Sequence, residues 1–290
     1  MKKRFWIFAL LALFIFPACS TMNVAGPPKD NQFVLLASTI GPIDAGIVGA
    51  LEAGFEKETG IRVRHVGAGT GAALKMAEKG QFDLVLAHAK SLEEKFVQGG
   101  FGTERIPLMY NDFVIVGPAK DPAGVRGMKT AAQALRTIAA KKASFISRGD
   151  KSGTHVAEME LWKGAGIKPS GSWYVVYEKG ASGNGPTLRY TSEKQVYTVI
   201  DRATYLALKK EIKLDILVEK DEAMLNFMSL IPVNSAKFPR VNREGAMKFI
   251  GWMTAADKGQ IVIRDFGKDK YGEPMFFPNS REWHQTQKSK

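Results

Sequence analysis

The sequence predicts an α/β fold built on parallel sheets, and two observations carry this prediction. From Gln32 onward, short runs of β-branched and apolar residues alternate with segments that repeat apolar residues every three to four positions. Strands that alternate with helices of this length are typical of parallel sheets covered by helices. Turns rich in glycine, serine and threonine separate many strands from the helices that follow them. The 290 residues form one large domain or two of about 100–150 residues each.

The predicted elements follow one another in a regular order. FVLLAST is the first strand, and a helix follows from Pro42 to Gly60, because proline suits a first helical turn and glycine a helix end. The next pairs are IRVRHVGAG with TGAALKMAEKG, FDLVLAHA with SLEEKFVQGG, DFVIVGP with AAQALRTIAAKKA, SFISRGD with SGTHVAEMELWKGAG, and WYVVYEKG with PTLRYTSEKQ. LDILVE and MSLIPV are the last long strands. The polar segment after Pro278 has no such pattern, and we expect it to fray.

The first eighteen residues are typical of a secretory signal sequence. Lys2, Lys3 and Arg4 precede an apolar run from Phe5 to Phe16 that is too short to span a bilayer. These basic residues contribute to the formal net charge of +12. The remaining lysines and arginines are interspersed with acidic residues and form no basic stripe with aromatic residues between them. A nucleic-acid partner is therefore not expected.

Cys19 is the single cysteine, which excludes a disulfide framework and a cysteine-based zinc site. It follows small Ala18 directly after the apolar run, and FPAC resembles the lipobox of bacterial lipoproteins. We expect Cys19 to be the lipidated first residue of the mature chain; an ordinary signal sequence is the alternative. Residues 19–31 contain two adjacent prolines and are predicted to be a tether. The protein is expected in the periplasm or at the cell surface, held to a membrane by its lipid.

No cofactor or metal is predicted from the motifs. GAGTGAAL lacks the acidic residue that a dinucleotide-binding fingerprint places about 20 residues downstream at a strand end. SRGDKSGT lacks the spacing of a phosphate-binding loop of nucleotide hydrolases. The four histidines show no spacing typical of zinc ligands.

Glycine and hydroxyl residues gather at four predicted strand-to-helix junctions, at residues 37–39, 67–71, 147–154 and 180–185. The start of a helix leaves backbone N–H groups unpaired and carries about half a positive charge, so it attracts anions. One such junction usually means only a capped helix. Four in one parallel α/β chain are a stronger indication of an anion-binding site.

Arg148 is the candidate cation of this site. A tetrahedral dianion that carries no proton offers only hydrogen-bond acceptors, and the planar guanidinium donates to two oxygens at once. Asp150 either caps the helix and orients Arg148, or accepts a ligand proton, which would favour phosphate-like anions. Ser152 and His155 are close enough for a hydrolase, but no nucleophile-elbow motif surrounds them. His88 ends a predicted buried strand, where core packing or a hydrogen bond to a loop is favoured over a ligand role.

Long segments of the chain resemble the tungstate-binding subunit of tungstate ABC importers. YNDFVIVGP and SRGDKSGTH are the specific pair, and the resemblance runs from about Phe33 to Phe277. It implies the type II periplasmic-binding fold, with two α/β lobes joined by two crossing strands and an oxyanion in the cleft between them. The partners it implies are an ABC permease and its ATPase, for a monomeric binding protein without enzyme activity. The candidate ligand-binding residues are Ser38, Thr39, Thr70, Arg148, Ser152, Gly153, Thr154 and Asn184.

The chain departs from that family at the first loop. The family usually has a Thr-Thr-Thr-Ser run after its first strand, and the matching positions here are Ser38, Thr39, Ile40 and Gly41. Asn184 replaces the residue that commonly lies between two glycines of a later loop. Tungstate is the expected ligand and molybdate the next, although these changes affect the identity of the anion more than its class.

The resemblance also gives domain boundaries. Lobe 1 is expected at 32–112 and 232–278, lobe 2 at 113–231, and a polar tail at 279–290, with hinge strands near 111–116 and 229–233. A sensor or scavenger that presents the oxyanion to a signalling receptor is the alternative function, and a phosphate- or sulfate-ester hydrolase is a further one.

Overall fold

The computed structural model describes residues 33–288. The predicted signal sequence, Cys19 and the tether lie outside these residues. Within the described part of the chain, no helix combines the length and the apolar character needed to cross a membrane.

Strands and helices alternate along most of the described chain, as predicted. The strands are β1 (Phe33–Thr39), β2 (Arg62–Ala68), β3 (Leu84–Ala87), β4 (Ile106–Gly117), β5 (Phe145–Ser147), β6 (Tyr174–Val176), β7 (Thr198–Asp201), β8 (Asp215–Val218), β9 (Leu225–Pro232) and β10 (Phe277–Pro278). The helices are α1 (Ile40–Ala45), α2 (Ile47–Thr59), α3 (Thr70–Ala77), α4 (Lys90–Gln98), α5 (Ala131–Ala140), α6 (Gly153–Gly164), α7 (Asn184–Lys194), α8 (Arg202–Leu208), α9 (Arg243–Thr254), α10 (Gly259–Asp265), α11 (Lys268–Tyr271) and α12 (Arg281–Lys288).

The first lobe is built on a sheet with the strand order β10-β4-β9-β3-β1-β2. Strands β1, β2 and β3 are parallel, whereas β9 runs antiparallel to both β3 and β4. Helices α2 and α9 cover one face, where the ring centroids of Phe55 and Phe249 lie 4.8 Å apart. Helices α3 and α4 cover the other face. Helix α2 buries Ile47, Leu51 and Phe55, which recur every four positions and so lie on one side of the helix.

The second lobe has its own sheet and core. Strands β5 and β6 are parallel, and a bridge between Phe145 and Tyr197 joins β5 to the residue before β7. Strands β7 and β8 pair antiparallel with the last residues of β4. Helices α5 and α6 cover one face, where buried Trp162 lies 5.1 Å from the ring of Phe145.

Strand β4 belongs to both sheets and forms the outbound crossing. Its residues up to Asp112 pair with β9, and its residues from Phe113 pair with β7 and β8. The guanidinium of Arg202 fixes this point, because it donates to both carboxylate oxygens of Asp112 at 2.8 and 2.6 Å. The two-lobed α/β fold with crossing strands is therefore confirmed.

The returning strand begins earlier than the sequence predicts. We expected the return at 229–233, but β9 pairs with β4 from Leu225 onward and also with β3. The sequence predicts too late a start for this strand because only its second half is a continuous buried run of mostly apolar residues. We therefore assign 113–224 to lobe 2, and 33–112 with 225–288 to lobe 1.

The end of the described chain is a helix and not the frayed tail that its polar composition predicts. Residues Arg281–Lys288 form α12, which contacts α9. Buried Ser280 holds it in place: its hydroxyl donates to the Thr254 carbonyl at 2.7 Å and accepts from the Trp283 N–H at 3.0 Å. The polar composition of this segment did not indicate a helix end held to α9, because the contact depends on the single residue Ser280.

Candidate functional site

The carboxyl ends of β1, β2 and β3 lie side by side at one edge of the lobe 1 sheet. The register pairs Thr39 with Ala68 and Ser38 with Leu86, so the first two predicted junctions meet there. Ser38 is buried and donates its hydroxyl to the Thr39 carbonyl at 3.0 Å. The Thr39 side chain is also buried, with an exposed fraction of 1%. Its hydroxyl oxygen has no hydrogen-bond partner within residues 33–288. A buried hydroxyl without a partner costs about 1–3 kcal/mol, which indicates a partner from outside the protein.

The residues after Thr39 form the first turn of α1. Ile40 has an exposed fraction of 48%, and a Cβ placed on Gly41 would have no neighbour within 4 Å. Thr39 occupies the capping position of α1 without a side-chain capping bond. The two departures from the family run therefore replace hydroxyl residues at an open surface, where there is room to restore them.

On the lobe 2 side, the loop between β5 and α6 rests on a buried carboxylate, Glu158. Its two oxygens accept hydrogen bonds from the hydroxyl of Ser147 at 2.7 Å, the hydroxyl of Tyr174 at 2.7 Å and the indole of Trp162 at 3.2 Å. Burial raises the pKa of Glu158 to about 7, although these bonds and one from the Arg148 backbone oppose the change. Sequence reasoning missed Glu158, because it lies on a helix among ordinary charged residues.

A second loop, at residues 180–185, packs directly on the backbone of the first. A Cβ added to Gly180 would lie 2.0 Å from the carbonyl oxygen of Arg148, so only glycine fits there. Gly180 therefore allows two loops of lobe 2 to touch.

Arg148 is held from three sides between these loops. Its side chain has an exposed fraction of 11%. The guanidinium donates to the Gly180 carbonyl at 3.3 Å, to Asp150 at 2.5 Å and to the side-chain oxygen of Asn184. A guanidinium has five N–H groups. These bonds use three of them, and the other two have no partner within residues 33–288.

Asp150 orients Arg148 and has no free oxygen. One carboxylate oxygen accepts from Arg148, and the other accepts from the backbone N–H of Ser152 at 3.1 Å and its hydroxyl at 2.6 Å. Burial favours the neutral acid, but the bonds from Ser152 and the charge of Arg148 outweigh it and hold the pKa of Asp150 below its usual value. Of the two roles considered for Asp150, the geometry favours orientation of the arginine.

Two predicted ligand residues make their side-chain bonds within the protein. The Ser152 hydroxyl donates to Asp150, and the Asn184 amide donates to Asp201 at 2.6 Å while its oxygen accepts from Arg148. These bonds favour a supporting role around Arg148 for both side chains over the direct contact with the anion that the sequence predicts. Ser152 and His155 do not form the hydrogen bond that a hydrolase pair would need. The Ser152 hydroxyl donates to Asp150, and Nδ1 of His155 accepts from the Lys151 N–H at 2.9 Å.

Three predicted threonines keep their hydroxyls available. Apart from Thr39, these are Thr70, in the first turn of α3, and Thr154, in the first turn of α6. Neither hydroxyl bonds to another residue in the described part of the chain. Gly153 begins α6, so its N–H belongs to the first turn of that helix.

The two lobes touch at His88 and Gly153. A Cβ added to Gly153 would lie 2.7 Å from Cε1 of the His88 ring. The other side of the ring bonds to the crossing strands: Nδ1 lies 3.0 Å from the Asn226 oxygen, and the Asn226 amide donates to Asn111 at 2.7 Å. We had expected core packing or a hydrogen bond to a loop, but His88 bonds to Asn226 of the hinge strand β9. The two asparagines were missed, although a polar residue inside an apolar strand was a visible signal.

Comparison with known proteins identifies relatives of the whole described body. A family model described as a PBP superfamily domain matches residues 25–257. The tungstate-binding protein TupA of Peptoclostridium acidaminophilum is 44% identical over 93% of this chain and 95% of its own length.

Two solved structures are similar in sequence and in fold. The tungstate-binding protein TupA from Desulfovibrio alaskensis is 43% identical, covers 86% of this chain and 99% of its own, and superposes with a TM-score of 0.78. The structure described as the tungstate ABC transporter from Geobacter sulfurreducens is 44% identical with a TM-score of 0.71, covering 82% of this chain and all of its own.

Proposed function

The chain belongs to the tungstate-binding proteins of the PBP superfamily, and from that membership we propose that it captures tungstate in the cleft between its lobes. Molybdate, which has the same charge and shape, is the next candidate. Members of this family are transport proteins and not enzymes. The observation that carries the proposal is the buried hydroxyl of Thr39, which lacks a protein partner at the sheet edge where three loops of lobe 1 meet.

The groups around the cleft suit an anion that only accepts hydrogen bonds. Thr39, Thr70 and Thr154 offer hydroxyls, and α6 offers the unpaired N–H groups of its first turn. Arg148 adds two further N–H groups and the positive charge. Asp150 holds the guanidinium in place through its bonds to Arg148 and Ser152. These features support the binding of a tetrahedral oxyanion such as tungstate or molybdate.

Delivery to a permease completes the proposal. We infer a mature chain that is lipidated at Cys19, stands outside the cytoplasm on the tether of residues 19–31, and hands the anion to an ABC permease as a monomer. The FPAC sequence supports the lipid anchor, and mass spectrometry of the membrane fraction tests it. Unmodified protein in the soluble periplasm, cleaved elsewhere, would contradict it.

Calorimetric titration of the tag-free mature protein tests the ligand. Tungstate, molybdate, sulfate and phosphate are titrated separately at one pH and one ionic strength. We expect tungstate to bind most tightly, molybdate next, and sulfate and phosphate much more weakly. If sulfate or phosphate binds more tightly than tungstate, the cleft serves another anion, and the tungstate assignment is wrong.

A further inference from the structure

We propose that His88 is the proton acceptor of the cleft and that it takes up one proton when the oxyanion binds. This inference rests on the proposed function, since it concerns the same cleft. It makes His88 a ligand-binding residue whose protonation state changes when the anion binds.

His88 lies in lobe 1 beside the first residue of α6 in lobe 2, where the two lobes touch. It directly follows β3, so it lies at the sheet edge that also carries Thr39. A Cβ on Gly153 would lie 2.7 Å from Cε1 and 3.3 Å from Nε2 of the ring. The edge of the ring formed by Cε1 and Nε2 therefore faces the first residue of α6, where the unpaired N–H groups of that helix begin.

The hydrogen bonds of the crossing strands fix the tautomer of His88. The Asn226 amide nitrogen donates to the Asn111 oxygen at 2.7 Å, so the Asn226 oxygen is the atom that faces the ring. This oxygen can only accept, and Nδ1 must therefore carry the ring proton. In a neutral ring, Nε2 then has a lone pair. Within residues 33–288, Nε2 has no hydrogen-bond partner.

The surroundings of the ring keep it neutral before an anion arrives. Burial lowers the pKa of His88, and the bond to Asn226 and the carboxylate of Glu93 oppose this only in part. Glu93 is itself paired with Arg105 at 2.7 Å. From lobe 2, the loop before Gly153 carries the Arg148–Asp150 ion pair, and the positive end of α6 also disfavours a charged ring. The remaining nearby ionisable groups are Lys151 and His155, which bond to each other through a backbone N–H and a ring nitrogen.

An anion in the cleft reverses this balance. A neutral Nε2 presents a lone pair to an oxygen that also has only lone pairs, and the two repel each other. A dianion within about 4–6 Å favours the charged ring, so the pKa rises and Nε2 takes a proton from solvent. The protonated Nε2 then donates to the ligand. Binding of tungstate is accordingly coupled to uptake of one proton.

A purely structural His88 predicts no such coupling. A ring that only packs against Gly153 would keep one protonation state in the free and bound protein. The heat of binding would then be independent of the ionisation enthalpy of the buffer. Proton uptake is thus the measurement that separates the two roles.

The test is calorimetric titration of tungstate into the mature protein in two buffers of equal pH and different ionisation enthalpy. We expect uptake of up to one proton, and an affinity that rises by up to about tenfold per pH unit as the pH falls from about 8.5 to 6.5. H88Q retains a donor for Asn226, and we expect it to bind tungstate without proton uptake and with little pH dependence. H65Q is the matched control, because His65 of β2 pairs with Glu52 of α2 in lobe 1, and it should behave as the wild type.

Each outcome decides a separate claim. Binding without proton uptake in the wild type, or with full uptake in H88Q, would overturn the role of His88 and leave the proposed function intact. Absence of binding by tungstate and molybdate alike would overturn the proposed function itself. If H88Q does not fold, an NMR titration of the wild-type ring with and without tungstate gives the answer, since the role requires the His88 pKa to rise on binding.

Discussion

Replacing Thr39 by valine should make the free protein more stable and the binding of tungstate weaker. Valine has nearly the shape of threonine and suits a strand, so the substitution removes the hydroxyl and little else. That hydroxyl is buried and has no partner within residues 33–288. Leaving it unpaired costs about 1–3 kcal/mol. We expect Thr39→Val to raise the free energy of unfolding by up to that amount, and the melting temperature by about 2–4 °C for each kcal/mol.

The same substitution removes a donor from the anion. A hydrogen bond to a charged group contributes about 1.5–3 kcal/mol, so affinity should fall by about 10- to 150-fold. Opposite changes in stability and affinity are the signature of a group that the fold holds ready for a ligand.

Thermal and urea unfolding without ligand, together with calorimetric titration of tungstate, measure the two effects. Thr198→Val is the matched control, because Thr198 is equally buried in a strand but donates to the Ile146 carbonyl at 2.8 Å. It should lose stability and keep its affinity. The reasoning would be refuted if Thr39→Val destabilised the protein as Thr198→Val does, or bound tungstate like the wild type.

Three further predictions concern the loops of the cleft. Arg148→Ala should weaken tungstate binding by about 30-fold or more, since truncating one partner of a buried charge pair costs about 2–5 kcal/mol; unchanged titration curves would place the cation elsewhere. The double variant Ile40→Thr and Gly41→Ser restores hydroxyls at an open surface and should tighten tungstate binding in the same titration, whereas weaker binding would mean that this loop suits another anion. Glu158, whose pKa is raised to about 7, holds its proton longer when folded than when unfolded, so its contribution to stability is complete below about pH 4.5 and is lost as the pH rises towards 7. The stability advantage of the wild type over Glu158→Gln in urea unfolding should therefore shrink by about 1.4 kcal/mol per pH unit over that interval, and a constant difference would contradict the raised pKa.

The sequence predicted the loops of the cleft better than the partners of their side chains. Glycine and hydroxyl patterns are local, and they located the starts of α3 and α6 with Thr70 and Thr154 in their first turns. The role of Asn184 depends on Arg148 and Asp201, which come from two other segments. Such contacts form only in the folded chain, and residue type alone gave Asn184 the role of a ligand donor.

The polar network of the hinge was missed for the same reason, because its contacts form only in the folded chain. Asn226 lies 138 residues from His88 and 115 residues from Asn111, and each of the three is an ordinary polar residue in its own segment. Their proximity follows from the strand order, with β9 inserted between β3 and β4. A sequence shows alternating elements directly, but it shows strand order only through resemblance to a known fold.

The insertion of β9 between β3 and β4 also determines when each lobe can fold. Lobe 2 is one continuous segment, so its contacts are available as soon as that segment has been made. The central strand of lobe 1 pairs Ser229 with Ala87, about 140 residues earlier in the chain. Contacts of such sequence separation form slowly, because a long loop must close before they are gained. Lobe 1 therefore becomes complete only with the last quarter of the chain, and until then the facing edges of β3 and β4 lack their central partner strand.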